Sequence, residues 1–250
     1  ARGGGEGGGR KFQRDRGGPS FRDSGRRYPD MPLLVRLVKQ GDRYVPDRLV
    51  RAADFADGLG QANNPDWKTV GIDEATGKPV VPTGSIGFRW GEQGKWNLEE
   101  KDAGGVDVKL RVGLKGAHDD VVEVNFPYFA NTASNGFAST DHPDTLMRRV
   151  PAKRLALKDG EALVASVYDL FMANYGVDQG FGGDHMPSSF DDVEPYTPAW
   201  AEKVTTVPRA QIIAVARGFA SNAEKTNGKS MVIIGAAMNH WYHMDMNYRG

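Results

Sequence analysis

The chain closes on "GKSMVIIGAAMNHWYHMDMNYRG", where the residues with most chemical reach are Asn239, His240 and His243, set just beyond Gly235. An amide that both donates and accepts, with two imidazoles that hold or move protons, suits a small polar ligand or an anion. Gly235 carries no Cβ, so a ligand or a neighbouring backbone can come close. A second reading fits the same residues: Trp241 and Tyr242 pack in a core, and backbone groups satisfy the histidines. His240 and His243 share one helix face, but zinc takes three or four protein ligands and the chain has no cysteine to complete a set. His118, His142 and His185 stand in separate loop-like contexts, so direct metal ligation is not expected.

Residues of this kind need a rigid support. The preceding "SMVIIGAA" reads as a strand buried on both faces, as parallel strands are, and open α/β sheets bind ligands outside the carboxyl ends of such strands. Ahead of it, "TTVPRAQIIAVARGFASNA" places Pro208 in a first turn and Ile212, Val215, Ala216, Phe219 and Ala220 on one stripe, which predicts an amphipathic helix. Helix, short loop and buried strand together make an α/β unit. An earlier helix is expected from residue 161 in "ALVASVYDLFMANYG", with Leu163, Val167, Leu170, Phe171 and Tyr175 at three- and four-residue steps and Gly176 as its stop. Residues 177–195, rich in Gly, Asp, Ser and Pro, read as a surface loop.

Upstream the texture is that of strands. "PLLVRLV" and "YVPDRLV" flank the turn "KQGDR" as a hairpin, and "TVGIDEATGKPVVP" suggests a second. "VDVKLRVGL" alternates apolar and polar residues with period two, and "VVEVNFPYF" runs as a strand until Pro127 ends it. "GSIGFRWGEQGKWNLEE" lacks the Gly-Lys-Ser/Thr ending of a phosphate loop, and is expected to be a loop pinned by Trp90 and Trp96. The fold class expected is therefore α/β, with a strand-rich region over 28–160 and a helix–strand unit over 161–250. Residues 1–27, "ARGGGEGGGRKFQRDRGGPSFRDSGRR", have too little apolar surface to fold, and read as a low-complexity, disordered or foreign end. Their RGG triplets admit a nucleic-acid arm, but such text more often forms a linker or tail.

Composition narrows the classes. A chain of 250 residues with 39% hydrophobic content can bury a core, and 32 Lys plus Arg against 32 Asp plus Glu leaves no basic surplus to attract nucleic acid. The absence of cysteine excludes disulfides and thiolate-held clusters within the chain. No apolar run approaches the roughly 20 residues that span a bilayer.

Longer strings carry a resemblance. "DMPLLVRL", "LVRAADF", "NNPDWKTV", "GSIGFRWGEQGKWNLE", "FPYF", "VYDLFMANYG", "SFDDVEPYTPAWAE", "VPRAQIIAVARGFA" and "MVIIGAAMNHWYHMDMNYRG" occur in one order over residues 28–250. In them the chain resembles the catalytic alpha subunits of membrane-bound respiratory nitrate reductases, which are molybdopterin oxidoreductases. The resemblance implies an internal piece of a much larger subunit with part of the molybdopterin oxidoreductase fold. It implies nitrate reduction to nitrite by oxygen-atom transfer to molybdenum, held by two molybdopterin guanine dinucleotides, and a 4Fe-4S cluster whose ligands lie outside this stretch. The implied partners are an iron–sulfur beta subunit and a haem-b membrane gamma subunit, at the cytoplasmic face of the cell membrane. His240 takes the catalytic position, and Gly235, Asn239 and His243 the cofactor-binding ones. Nitrite oxidation or another oxyanion is the alternative chemistry; a scaffold with an RNA-binding Gly/Arg arm is the alternative class.

Overall fold

The computed structural model describes residues 31–62, 64–81, 102, 104–128, 145–226, 230–233 and 240. The glycine-rich stretch around Trp90 and Trp96, and residues 1–27, lie outside them. Five strands close into a barrel in the order β1 (Leu34–Gln40), β2 (Arg43–Leu49), β5 (Asp120–Pro127), β6 (Thr145–Leu157) and β7 (Gly160–Ser166). Its pairings are antiparallel except β2 with β5, joined in parallel at Tyr44 and Val124. A two-stranded sheet of β3 (Gly71–Ile72) and β4 (Pro79–Val80) stands beside it. Both expected hairpins form, and β5 ends at Pro127 as expected.

The core lies in two clusters. Leu34, Val50, Val70, Ile72, Leu114 and Val164 join the barrel to the small sheet. Leu37, Val124, Phe126, Val150, Ala165 and Leu170 fill the space between the barrel and α1 (Val167–Asn174). Two further helices follow, α2 (Pro198–Thr205) and α3 (Arg209–Lys225). Strands and helices are mixed, as the expected class requires, and the helix with Pro208 at its start forms where its stripe placed it.

Three stretches differ from the sequence reading. The helix expected from residue 161 starts at Val167, because Gly160–Ser166 is taken as a strand between β6 and β1, where Ala162, Val164 and Ala165 are buried. Apolar spacing over those few residues fits both periods, and strand partners on two sides decide the matter. "VDVKLRVGL" makes isolated bridges only, with Leu110 and Leu114 buried but Val106 and Val112 exposed. Carboxylates supply partners there that a strand neighbour would otherwise give: Asp73 accepts from the Lys109 N–H at 3.1 Å and Asp169 from the Leu114 N–H at 2.8 Å. Finally, Ser230–Ile233, the described start of the expected buried strand "SMVIIGAA", pairs with none of the described strands, and Met231, Val232 and Ile233 are exposed at 74%, 72% and 83%. A parallel strand forms only against a neighbour, and none of the described strands reaches it.

Arg48 of β2 grips Asp54 through two contacts of 2.8 Å, and the Arg51 N–H adds a third at 2.8 Å. The Arg48 bonds, with the Arg51 N–H, hold the Asp54 carboxyl below its ordinary 3.8 against the opposing effect of burial. A carboxylate so depressed stabilises the fold above the ordinary value, and that contribution is lost as pH falls through the lower folded value. Asp54→Asn is expected to cost about 1–2 kcal/mol at neutral pH, the gap to the parent closing as pH drops below 3.8. Urea denaturation at several pH values measures this, and a gap that stays constant into acid contradicts it.

Candidate functional site

Of the four residues singled out at the chain's end, His240 lies among the described residues, and it is exposed. Gly235, Asn239 and His243 lie outside them. No described strand or helix packs over the His240 ring, so among the described residues its side chain has no core role.

The described residues do assemble one polar centre that the sequence left scattered. Arg148 of β6 is buried at 3% exposure, and its guanidinium donates to four carbonyls: Ala173 at 2.6 Å, Asn174 at 3.0 Å, Asp184 at 3.0 Å and His185 at 2.9 Å. Burial lowers its pKa, opposed by the negative charge of Glu194. One cation thus ties the last turn of α1 to the loop that follows. The carbonyls of a helix end are free and carry partial negative charge, so a guanidinium is a natural partner for them.

The loop lies along β6 next to Arg148. Gly183 bridges Arg148, the Asp184 N–H donates to the Met147 carbonyl at 2.8 Å, and the Arg149 N–H to the Gly182 carbonyl at 3.1 Å. This covers the β6 edge where β7 does not extend, since β7 pairs with β6 only from Lys153 onward. Gly183 has φ +149°, and a Cβ there would stand 2.6 Å from the Arg148 Cα and 2.9 Å from the Met147 carbonyl. Gly183→Ala is therefore expected to destabilise the chain by about 2–4 kcal/mol, because backbone atoms cannot yield as a flexible side chain can. A denaturation midpoint equal to the parent's contradicts this.

Above the clamp, the Tyr128 ring stacks on His185 with centroids 4.5 Å apart. The Tyr128 hydroxyl donates to Glu194 Oε2 at 3.2 Å and meets His185 Nδ1 at 3.1 Å, while that Nδ1 stands 3.3 Å from Glu194 Oε1. With the hydroxyl proton committed to Glu194, the network assigns a proton to Nδ1 of the imidazole. Burial, reinforced by the Glu194 charge, pushes the Tyr128 hydroxyl up to about 12, so it remains a donor at neutral pH. Among the described residues, the neighbouring cavity, bordered by Arg149, Val177, Phe181 and Met186, is of water size. His185 also sits at φ +49°, in the left-handed region, held there by the Arg148 contact to its carbonyl. The centre is a loop clamp.

Nothing local in the sequence marks this centre, whose members stand 57 and 66 positions apart. One signal for Arg148 was present: it alternates with Leu146 and Val150, which puts it on the inward face of a strand. Among the described residues no three His, Cys, Asp or Glu side chains come close enough to hold a metal ion. Nor does any described helix have the length and apolar character to cross a membrane.

The comparisons with known proteins address the longer strings. By sequence the chain is similar to nitrate reductase alpha chains, over a segment spanning about a fifth of their length. It is 51% identical over 243 residues to the respiratory nitrate reductase 1 alpha chain of Escherichia coli (strain K12), a match covering 96% of this chain and 19% of that protein. It is 40% identical over 237 residues to a nitrate reductase alpha subunit of Mycobacterium tuberculosis (strain H37Rv), covering 92% and 18%. Against the nitrate reductase alpha chain of Bacillus subtilis (strain 168) it is 37% identical over 231 residues, again covering 92% and 18%. A match over 96% of the chain takes in most of residues 1–27, so the resemblance is not confined to 28–250. No protein-family model matches the chain.

Proposed function

We infer that this chain is part of the catalytic alpha subunit of a respiratory nitrate reductase and serves the reduction of nitrate to nitrite. The observation that carries the reading is the 51% identity to the Escherichia coli alpha chain, sustained over 96% of the residues. In the reaction nitrate gives up one oxygen atom and leaves as nitrite; two electrons and two protons turn that oxygen into water. Molybdenum carried by two molybdopterin guanine dinucleotides would supply the two-electron, oxygen-accepting chemistry when bound.

The chain's own residues would orient and stabilise. Asn239 and His243 offer the hydrogen bonds that pterin edges and phosphates need, and Gly235 offers close backbone approach. This donor set fits such a cofactor. His240 donates to the oxygen that leaves nitrogen, holding it more strongly as charge builds there. We place the ligands of molybdenum and of a 4Fe-4S cluster outside the described residues. Electrons would come from quinol through a haem-b gamma subunit and an iron–sulfur beta subunit, which would hold the alpha subunit at the cytoplasmic face of the membrane. Residues 28–160 would form a strand-rich region and 161–250 part of the cofactor-binding one.

The test is to isolate the native polypeptide that carries this sequence and assay it with reduced viologen dye. Nitrate-dependent dye oxidation, with molybdenum bound and nitrite formed in equal amount, is expected. A molybdenum-loaded enzyme that oxidises nitrite but does not reduce nitrate overturns the direction, and one without molybdenum overturns the class. The 250-residue chain alone is expected to show no turnover.

A further inference from the structure

Tyr128, His185 and Glu194 bring donor atoms of three kinds onto one small triangle. The Tyr128 hydroxyl stands 3.1 Å from His185 Nδ1 and 3.2 Å from Glu194 Oε2, and Nδ1 stands 3.3 Å from Glu194 Oε1. Hydrogen bonds account for two of these edges, since the hydroxyl proton and the Nδ1 proton both turn to the carboxylate. The third edge, hydroxyl to Nδ1, then has no proton of its own and sets two donors 3.1 Å apart. A cation at the centre would face all three atoms at once. Ligands around a tetrahedral zinc ion, bonded at about 2.0–2.2 Å, stand about 3.3–3.5 Å from one another, so the triangle fits after parting by a few tenths of an ångström.

The triangle is held from behind. The Arg148 guanidinium donates to the His185 carbonyl at 2.9 Å, which keeps that residue at φ +49°. The Glu194 carbonyl accepts from the Thr197 hydroxyl at 2.9 Å and from the Thr197 N–H at 3.2 Å, at the start of α2, and Tyr128 follows directly on β5. Anchored backbone is what keeps the ligands of a metal site converged. The His185 and Glu194 side chains keep 41% and 33% of their surface, so among the described residues an ion has a way in. The charges agree: Glu194 and an ionised Tyr128 offset a divalent ion, while Arg148, the cation beneath, is committed to four carbonyls. The Asp184 carboxylate is occupied by the Met147 N–H at 2.9 Å and stays outside the set.

We propose that Tyr128, His185 and Glu194 form a binding site for a divalent transition-metal ion of the zinc type, which cross-links the loop after α1 to the end of β5. The side chains supply one nitrogen and two oxygen ligands, and water completes the fourth position. The ion takes the place of the Nδ1 and hydroxyl protons, which pass to solvent. Burial and Glu194 otherwise hold the phenol proton up to about 12, so Tyr128 is the weakest of the three ligands. His185 stands alone in sequence and gains its co-ligands from positions 57 and 9 residues away. With one imidazole and one carboxylate, the set needs the phenol as its third member. The site is built from described residues alone and does not depend on the nitrate reductase reading.

The test uses the full-length native polypeptide carrying this sequence, stripped with a chelator, supplied with Zn2+ and freed of loose ions by gel filtration. Elemental analysis is expected to find about one more zinc ion per polypeptide in the parent than in His185→Asn or Glu194→Gln, and Tyr128→Phe to weaken retention about tenfold. Asparagine tolerates the left-handed backbone at position 185, so that substitution spares the loop. His118→Gln, outside the triangle, is expected to bind as the parent does. Zinc retained equally by the parent, His185→Asn and Glu194→Gln overturns the proposal. Should the variants fail to accumulate, the unsubstituted protein decides, through diethyl pyrocarbonate labelling read by peptide mass. Zn2+ is expected to suppress the labelling of His185 about tenfold and to leave His118 unchanged. Labelling of His185 that zinc does not alter overturns the proposal.

Discussion

Arg148→Met is expected to destabilise the chain by about 3–5 kcal/mol, the largest loss of any single substitution considered. Methionine fills a similar volume, so little of the loss comes from packing. What is lost is the charged partner of the Ala173, Asn174, Asp184 and His185 carbonyls, at least one of them in a fully buried bond. Each buried carbonyl left without a donor costs about 1–3 kcal/mol, and relaxation of the loop toward water recovers part of the total. Arg148→Lys keeps the charge but cannot reach four carbonyls with one ammonium, so an intermediate loss of about 2 kcal/mol is expected. Urea denaturation followed by tryptophan fluorescence measures both. The clamp assignment fails if Arg148→Met unfolds within 1 kcal/mol of the parent, or if lysine and methionine behave alike.

His240→Ala should act in the opposite way, on turnover and not on stability. The ring is exposed among the described residues, so its removal is expected to shift stability by no more than about 0.5 kcal/mol. In the full enzyme, by contrast, losing a donor aimed at the departing oxygen of nitrate should lower kcat about a hundredfold or more, roughly 3 kcal/mol of transition-state stabilisation. His243→Ala is expected to act through loss of bound cofactor instead. Nitrate turnover per bound molybdenum separates the two: it falls for His240→Ala and holds for His243→Ala. Normal turnover per molybdenum in His240→Ala returns that histidine to a packing role.

How much of this was legible beforehand depends on where each element finds its partners. The β1–β2 hairpin was readable because its turn and both apolar runs are adjacent, with Gly41 at φ +66° where the turn needs it. Strand β6 was not, since Pro151 and four arginine or lysine residues interrupt its apolar pattern. Proline is tolerated there because β6 pairs with β5 through Ala152 and with β7 only from Lys153, so the Pro151 position faces a strand on one side alone. Helix α2 carries a start signal, with Thr197 capping the Trp200 N–H and Pro198 in the first turn, but its eight residues are too few to show a stripe. For the candidate site, residue types at 235–243 pointed to ligand chemistry, whereas Tyr128, Arg148, His185 and Glu194 meet only through the fold. The strand expected at "SMVIIGAA" had the right composition for burial, but burial needs a neighbour that none of the described residues provides.

The most direct test of the central claim replaces the matched segment of the Escherichia coli respiratory nitrate reductase 1 alpha chain with this chain. Nitrate-dependent oxidation of reduced viologen is then measured per bound molybdenum. If the chain is an alpha-subunit segment serving nitrate reduction, the chimera retains turnover within about tenfold of the host enzyme, a difference of about 1.4 kcal/mol in the barrier. A chimera that accumulates, binds molybdenum and yet forms no nitrite from nitrate contradicts the account.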